Sequence, residues 1–190
     1  RRGQRRYGVP VPPAVRRAIE NASRETGVPQ DLLMVYAFIE SSFDPNARNG
    51  SYVGLFQMSQ EEFVANGGRG RRTDPVQNAL AAARDIRDKM QARSFPRNES
   101  ANEQALYLYV QHQQGEAGAR AHYANLDGVA WRNLRRFYPS DRVAQRAVTR
   151  NVTEDWLARY GRDMTSGEFI AHWRERLDEV AGEVLDSPVG

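Results

Sequence analysis

The chain contains no cysteine, which excludes disulfide frameworks, thiolate catalysis and Cys-ligated zinc together. Its three histidines, at 112, 122 and 172, are too scattered for a metal cage and show no HExxH-type spacing, so neither a metal nor a cofactor is expected. No apolar run approaches the roughly 18 residues that a membrane-spanning helix needs, and no membrane span is expected. No apolar stretch follows the basic residues 1–6, so no signal segment is expected within the residues given. Lysine is nearly missing as well: 26 arginines and the single Lys89 stand against 24 acidic residues, for a net charge of +3. Residues 1–72 carry 11 arginines against 7 acids, whereas residues 73–190 are close to balanced at 16 against 17. A mildly basic surface suits an anionic polymer, a nucleic acid or a cell-wall glycan. A preference for arginine over lysine with no binding role accounts for the same numbers.

What is present is ample for a core. The 190 residues are 40% hydrophobic and 27% charged, and the mean hydropathy of −0.72 is polar without reaching the composition of disordered chains. Helix start and stop signals recur, and strand signals do not. Pro12 and Pro13 precede a helix over 14–26 with Gly27 as its stop. Pro29-Gln30-Asp31 open an apolar helix that reaches Glu40 and must end by Asp44, because the residue before Pro45 is pushed out of the α region. Capping boxes occur at residues 59–62, 100–103 and 165–168. Asp74-Pro75 is an N-cap followed by an N1 proline, opening a helix with Val76, Leu80, Ala83, Ile86 and Met90 on one face. The helix from residue 100 runs to Gly115. Shorter helices are expected around Trp131, Leu134 and Phe137, over 143–148 and over 156–160, before a last helix carrying Phe169, Trp173, Leu177, Val180 and Val184. The expected fold is an all-α globule of about eight or nine helices. Residues 67–72, rich in glycine and arginine, read as a surface loop between helices.

Glu40 is the residue on which chemistry is expected. It ends the most apolar helix, and a carboxyl among Tyr36, Phe38 and Ile39 loses hydration, which raises its pKa. The partial negative charge of a helix C-terminus pushes the same way. A glutamic acid kept protonated near neutral pH is what a glycosidic oxygen requires as general acid. No second carboxylate accompanies it at an evident separation: Asp44 lies on the next turn, and Asp74 has a capping role.

The stretch Glu40-Ser41-Ser42-Phe43-Asp44-Pro45-Asn46-Ala47, followed by Gly54-Leu55-Phe56-Gln57, resembles the E-S-x-F-x-P-x-A … G-L-M-Q signature of the soluble lytic transglycosylases, lysozyme-like enzymes that cut peptidoglycan. Asp74-Pro75-Val76-Gln77-Asn78-Ala79 is similar to that family's D-P-x-x-N-I helix start, and Gln111-His112-Gln113-Gln114-Gly115 occupies the place of its A-Y-N-A-G motif. The resemblance covers roughly residues 28–120. It implies a lysozyme-like core over 14–125, preceded by a basic tail over 1–13 and followed by a helical extension over 126–190.

The resemblance further implies a single-glutamate mechanism. Glu40 acts first as acid on the leaving oxygen and then as base on the muramyl 6-hydroxyl, giving 1,6-anhydromuramic ends. The implied substrate-binding residues are Asn49, Ser51, Tyr52, Phe56, Gln57, Tyr109, His112 and Gln113. Asn49 and Ser51 are alternative places for the family serine that bonds the glutamate. Tyr52, Phe56 and Tyr107 are candidates to stack on sugar rings. His112 stands where the family has tyrosine and Gln113 where it has asparagine, with Tyr109 one turn earlier as a possible source of the phenol. The segment between Ala47 and Gly54 is about one residue shorter than the family pattern.

The H-Q-Q-G variant is similar to transglycosylase domains of phage particles and secretion-related muramidases. It implies peptidoglycan strands as substrate, a secretion or phage-tail assembly as partner, and a periplasmic or virion-associated location. The alternatives are a muramidase in which Asp44 or Asp74 activates water, a glycan-binding assembly module without turnover, and a nucleic-acid-binding helical domain resting on the arginine excess. Of these last partners, no nucleic acid is expected.

Overall fold

A computed structural model describes residues 8–185 of the chain, and the expected tail over 1–13 falls mostly outside them. The described residues are all-α: α1 Pro13–Thr26, α2 Gln30–Ser41, α3 Gln60–Ala65, α4 Pro75–Met90, α5 Ala101–Ala124, α6 Ala130–Leu134, α7 Asp141–Thr149, α8 Glu154–Tyr160 and α9 Ser166–Leu185, with a 3-10 turn at Arg135–Phe137. The exception is a small antiparallel hairpin, β1 Arg48–Asn49 and β2 Tyr52–Val53, which pairs Arg48 with Val53 and Asn49 with Tyr52. None of the described helices is long and apolar enough to cross a membrane. The chain divides into two compact units, one of residues 1–105 with 178–190 and one of residues 106–177. The divisions fall inside α5 and α9.

The first unit is built around α2. Leu32, Leu33, Met34, Val35, Tyr36 and Ala37 are all buried, so this helix has no solvent face through its middle turns. Burial of each large side chain contributes about 1.5–3 kcal/mol. α1 packs on α4, with Val15, Ala18, Ile19 and Ala22 on one side and Ala79, Ala81, Ala82, Ala83 and Ile86 on the other. The alanines let the two backbones approach closely. α1 starts on Pro13 without a side-chain cap and stops at Gly27, whose left-handed backbone (φ 76°) donates its N–H to Ser23 O. Ser59 and Glu62 form a complete capping box at α3, and Asp74 caps α4 through Val76 N at 2.9 Å.

The second unit gathers the aromatic residues of the C-terminal half. Trp131, Trp156, Phe169 and Trp173 are buried, as are Leu134, Val148 and Met164. His122 lies fully buried under Phe169, with ring centroids 4.9 Å apart, and its Nδ1 is 2.6 Å from Ser166 Oγ. Asn133 Nδ2 donates to the same hydroxyl at 2.8 Å and to Asn125 O at 2.8 Å, tying α6 to the start of α9. Thr165 and Glu168 complete a second capping box there.

Four features depart from the sequence reading. The hairpin has strands of two residues each, too short for any period-2 signal. Gly115, with φ 73° and ψ 166°, interrupts α5 as expected, yet the chain resumes helix and reaches Ala124. Val76, assigned to a core face, is 42% exposed, because it follows Pro75 in the first turn of α4 and its neighbours Asn78 and Ala79 turn inward instead. Phe137, expected on a short helix with Trp131 and Leu134, is 41% exposed and lies on the 3-10 turn instead.

Candidate active site

Glu40 is the penultimate residue of α2, and the six buried residues before it hold the helix end in apolar surroundings. Its Oε1 is buried and makes no hydrogen bond among the described residues. Burial drives its pKa up from 4.5 to about 7. A hydrogen bond from Tyr36, one helical turn back, opposes that rise. The charge of Glu62 adds to it, and the charge of Lys89 subtracts from it. Both charges are fastened: Glu62 Oε2 accepts from Ser59 N at 2.8 Å, and Lys89, the chain's single lysine, pairs with Asp85 at 2.5 Å. Among the described residues no arginine pairs with Glu40. A carboxyl in this state gives up a proton near neutral pH and takes one back without a large penalty in either direction.

Behind Glu40 the backbone is strained. Ser42 and Phe43 both have positive φ, at 52° and 65°, a conformation that costs non-glycine residues of order 1–3 kcal/mol each. Phe43 is nonetheless buried, its ring centroid 5.1 Å from that of Phe38, and Ser42 N closes the helix on Phe38 O. The Ser41 hydroxyl lies 2.7 Å from Leu55 O and 3.0 Å from Ala37 O, so it ties the end of α2 to the segment 54–57.

That segment is held from three sides. Asn78, fully buried on α4, accepts from Phe56 N at 2.8 Å and donates Nδ2 to Val53 O at 3.2 Å and Arg72 O at 3.0 Å. Gln57, itself at φ 48°, donates Nε2 to Gly54 O at 2.8 Å and to Ala47 O at 3.0 Å. Arg72 Nη1 donates to Ser51 O at 2.6 Å and Met58 O at 2.9 Å, which clamps the hairpin. Gly54 must be glycine: φ is 94°, and a Cβ there would lie 2.3 Å from Arg72 O.

The expected substrate residues fall into distinct settings. Asn49 and Ser51 are exposed and Tyr52 half-exposed, all on the hairpin of the first unit. Gln57 is buried, with its amide spent on backbone carbonyls. Phe56, 3% exposed, packs near Tyr36, so its ring is core rather than a platform for a sugar. Tyr107, 1% exposed, packs on Tyr123 and is corrected in the same way.

In the second unit, Tyr109 packs against Trp173 at 5.1 Å, while His112 is half-buried and Gln113 exposed on α5. On the same helix the amide oxygens of Gln111 and Gln114 are buried without a partner among the described residues. Asp44 and Asp74 are exposed and fastened to backbone, Asp44 Oδ1 accepting from Asn46 N at 2.8 Å and Asp74 Oδ1 from Val76 N.

Sequence reasoning missed Tyr36 as a partner of Glu40, Arg72 as the hairpin clamp and Asn78 as the staple of segment 54–57. The i, i+4 spacing of Tyr36 and Glu40 signalled the first. Nothing local distinguishes Arg72 from the other arginines of its loop.

Comparison with known proteins agrees with this geometry over one stretch. Residues 17–101 match the model of the family described as Transglycosylase SLT domain, a span from α1 to the start of α5 that holds Glu40, the hairpin, Gln57 and Asn78. Over 77 residues the chain is 35% identical to the membrane-bound lytic murein transglycosylase F 2 of Alkalilimnicola ehrlichii, which is 40% of this chain and 17% of that protein. The chain therefore spans a small part of that relative, and residues 102–190, including the motif at 111–115, lie outside the family match. Where the candidate active site lies, between residues 17 and 101, this chain is similar to the transglycosylase SLT family.

Proposed function

We propose that the chain cleaves the β-1,4 bond between N-acetylmuramic acid and N-acetylglucosamine in peptidoglycan as a lytic transglycosylase, with Glu40 as acid and then base. The observation that carries the reading is the buried Glu40 Oε1, without a partner among the described residues, on a carboxyl whose pKa is raised to about 7. In the first half of the reaction Glu40 protonates the glycosidic oxygen, and the bond from the muramyl C1 to that oxygen breaks. In the second half the muramyl 6-hydroxyl attacks C1, and its proton passes to the Glu40 carboxylate. The ring closes as a 1,6-anhydro sugar, no water is consumed, and the glutamic acid is restored.

Two observations favour this over the alternatives. The aspartates that would activate water, Asp44 and Asp74, are engaged with backbone N–H groups at a turn and a helix start. A non-catalytic module would leave Glu40 exposed or paired with arginine, and among the described residues it is neither. On the hairpin of the first unit, Asn49, Ser51 and Tyr52 are the residues proposed to meet the glycan. A periplasmic or virion-borne enzyme, attached to a secretion or phage-tail assembly, is the setting that the Gln111-to-Gly115 variant implies.

Mass spectrometry of fragments released from purified peptidoglycan tests the proposal. Anhydromuramic ends are expected. Reducing ends would mean a hydrolase, and no release would mean a binding module.

A further inference from the structure

One dense run of positive charge lies away from the site motifs. Between residues 129 and 152 there are six arginines and one acid, Asp141, a surplus of five where the whole chain has only +3. Asp141 is already taken by Arg135, which also donates to Tyr138 O at 2.8 Å. The other five arginines are exposed.

Three of them form a stripe. Arg142, Arg146 and Arg150 recur every fourth residue along α7 and its C-cap, so they advance about 6 Å per step and drift only about 40° around the axis. The same geometry puts them opposite Ala144, Ala147 and Val148, the buried side of α7. Among the described residues no carboxylate pairs with any of the three. Arg132 lies over the Trp131 ring and Arg136 over the Phe137 ring, at 5.3 and 4.8 Å from the centroids. Phe137 and Val143, 41% and 40% exposed, add apolar surface among these charges.

We infer that this face of α6, the 3-10 turn and α7 is an anchoring surface for the free carboxylates of the peptides that branch from peptidoglycan, separate in role from bond cleavage. The inference rests on the peptidoglycan reading above, which makes the substrate an insoluble polyanion. A guanidinium matches a carboxylate with two parallel hydrogen bonds. Phe137 and Val143 suit the short alkyl groups that lie between carboxylates in such peptides. Several weak contacts of this kind raise the effective concentration of the enzyme on its substrate without altering the chemistry. They weaken as salt screens them.

The test uses the full chain and a variant in which Arg142, Arg146 and Arg150 are all changed to glutamine, with circular dichroism to confirm an unchanged fold. Sedimentation with purified sacculi at low salt should show the variant binding about tenfold more weakly, the product of three contacts of a few-fold each. Binding of the parent should fall towards that of the variant at high salt. Parent protein should also bind sacculi whose carboxylates have been converted to amides as weakly as the variant binds untreated ones. Cleavage of peptide-free glycan strands should be the same for both proteins.

Equal binding of parent and variant to untreated sacculi would overturn the inference. So would a loss confined to anionic vesicles or duplex DNA, since either would identify a different partner. A parent that cleaves nothing yet binds sacculi in an arginine- and carboxylate-dependent way would remove the enzymatic reading and support the anchor.

Discussion

Tyr36 hydrogen-bonds the Glu40 carboxyl from one turn earlier on α2, and this bond favours the ionised acid while burial favours the neutral one. Burial is the larger effect, so the pair sets Glu40 near 7 rather than higher still. Tyr36→Phe removes the hydroxyl and keeps the ring in its buried place. The Glu40 pKa should then rise further, and the alkaline limb of the pH–rate profile should move to higher pH. A limb at the parent's position would show that the phenol does not act on the catalytic proton.

Burial of Glu40 also makes stability depend on pH in a defined direction. Its folded pKa is raised, so the folded state holds the proton more tightly than the unfolded chain does. The associated stability is fully present below pH 4.5 and is lost as pH rises through about 7. Glu40→Gln does not titrate and escapes this loss. Thermal melts should coincide for parent and variant at pH 4, while at pH 8 the variant should be more stable by up to about 3 kcal/mol, or several degrees. A variant that melts below the parent at pH 8 would contradict the burial of this carboxyl.

Asn78 holds segment 54–57 through one accepted and two donated hydrogen bonds. Asn78→Asp keeps the size but replaces Nδ2, the one nitrogen that makes both donations, with an oxygen facing the carbonyls of Val53 and Arg72. Urea unfolding should show a loss of about 2–4 kcal/mol, and the folded fraction should lose most of its turnover as the hairpin shifts. A loss under about 1 kcal/mol would mean that the hairpin is held elsewhere.

His122 gives the second unit the opposite pH dependence. Burial lowers its pKa from 6.5 to about 4, and Ser166 is its partner. Because the folded value is depressed, the stabilisation is complete above pH 6.5 and is lost as pH falls towards 4. His172, also lowered by burial, acts in the same direction. Between pH 6.5 and 4 the parent should lose about 3 kcal/mol that His122→Gln, less stable at pH 7, does not lose. Parallel stability–pH curves for the two proteins would rule this out.

Much of the fold was legible because its signals are local. The capping boxes at Ser59 and Thr165, the Asp74-Pro75 start, and Gly27 and Gly115 as breaks all depend on a few adjacent residues. Their partners lie within one turn. The burial of Glu40 was legible for the same reason, since Tyr36, Phe38 and Ile39 stand within one turn of it. The staples were not. Asn78 reaches back to Val53 and Phe56, and Arg72 to Ser51, through contacts that exist only once the chain has folded. Phe56 and Tyr107 were misassigned because an aromatic beside a motif looks the same in sequence whether it faces a ligand or the core. The arginine stripe of α7 is hidden in the sequence because the acids after residue 152 cancel it in any sum over the C-terminal half.

The central claim is that one carboxyl carries both proton transfers. Its most direct test is the release of soluble fragments from purified peptidoglycan by Glu40→Gln, which keeps the shape of the side chain and cannot exchange the proton. A positioned acid–base group contributes about 10²–10⁴-fold, and one that serves both halves of a reaction should lie at or beyond the top of that range. The variant should fold, still sediment with peptidoglycan and release nothing measurable, whereas turnover within a few-fold of the parent would show that Glu40 is not the acid–base group.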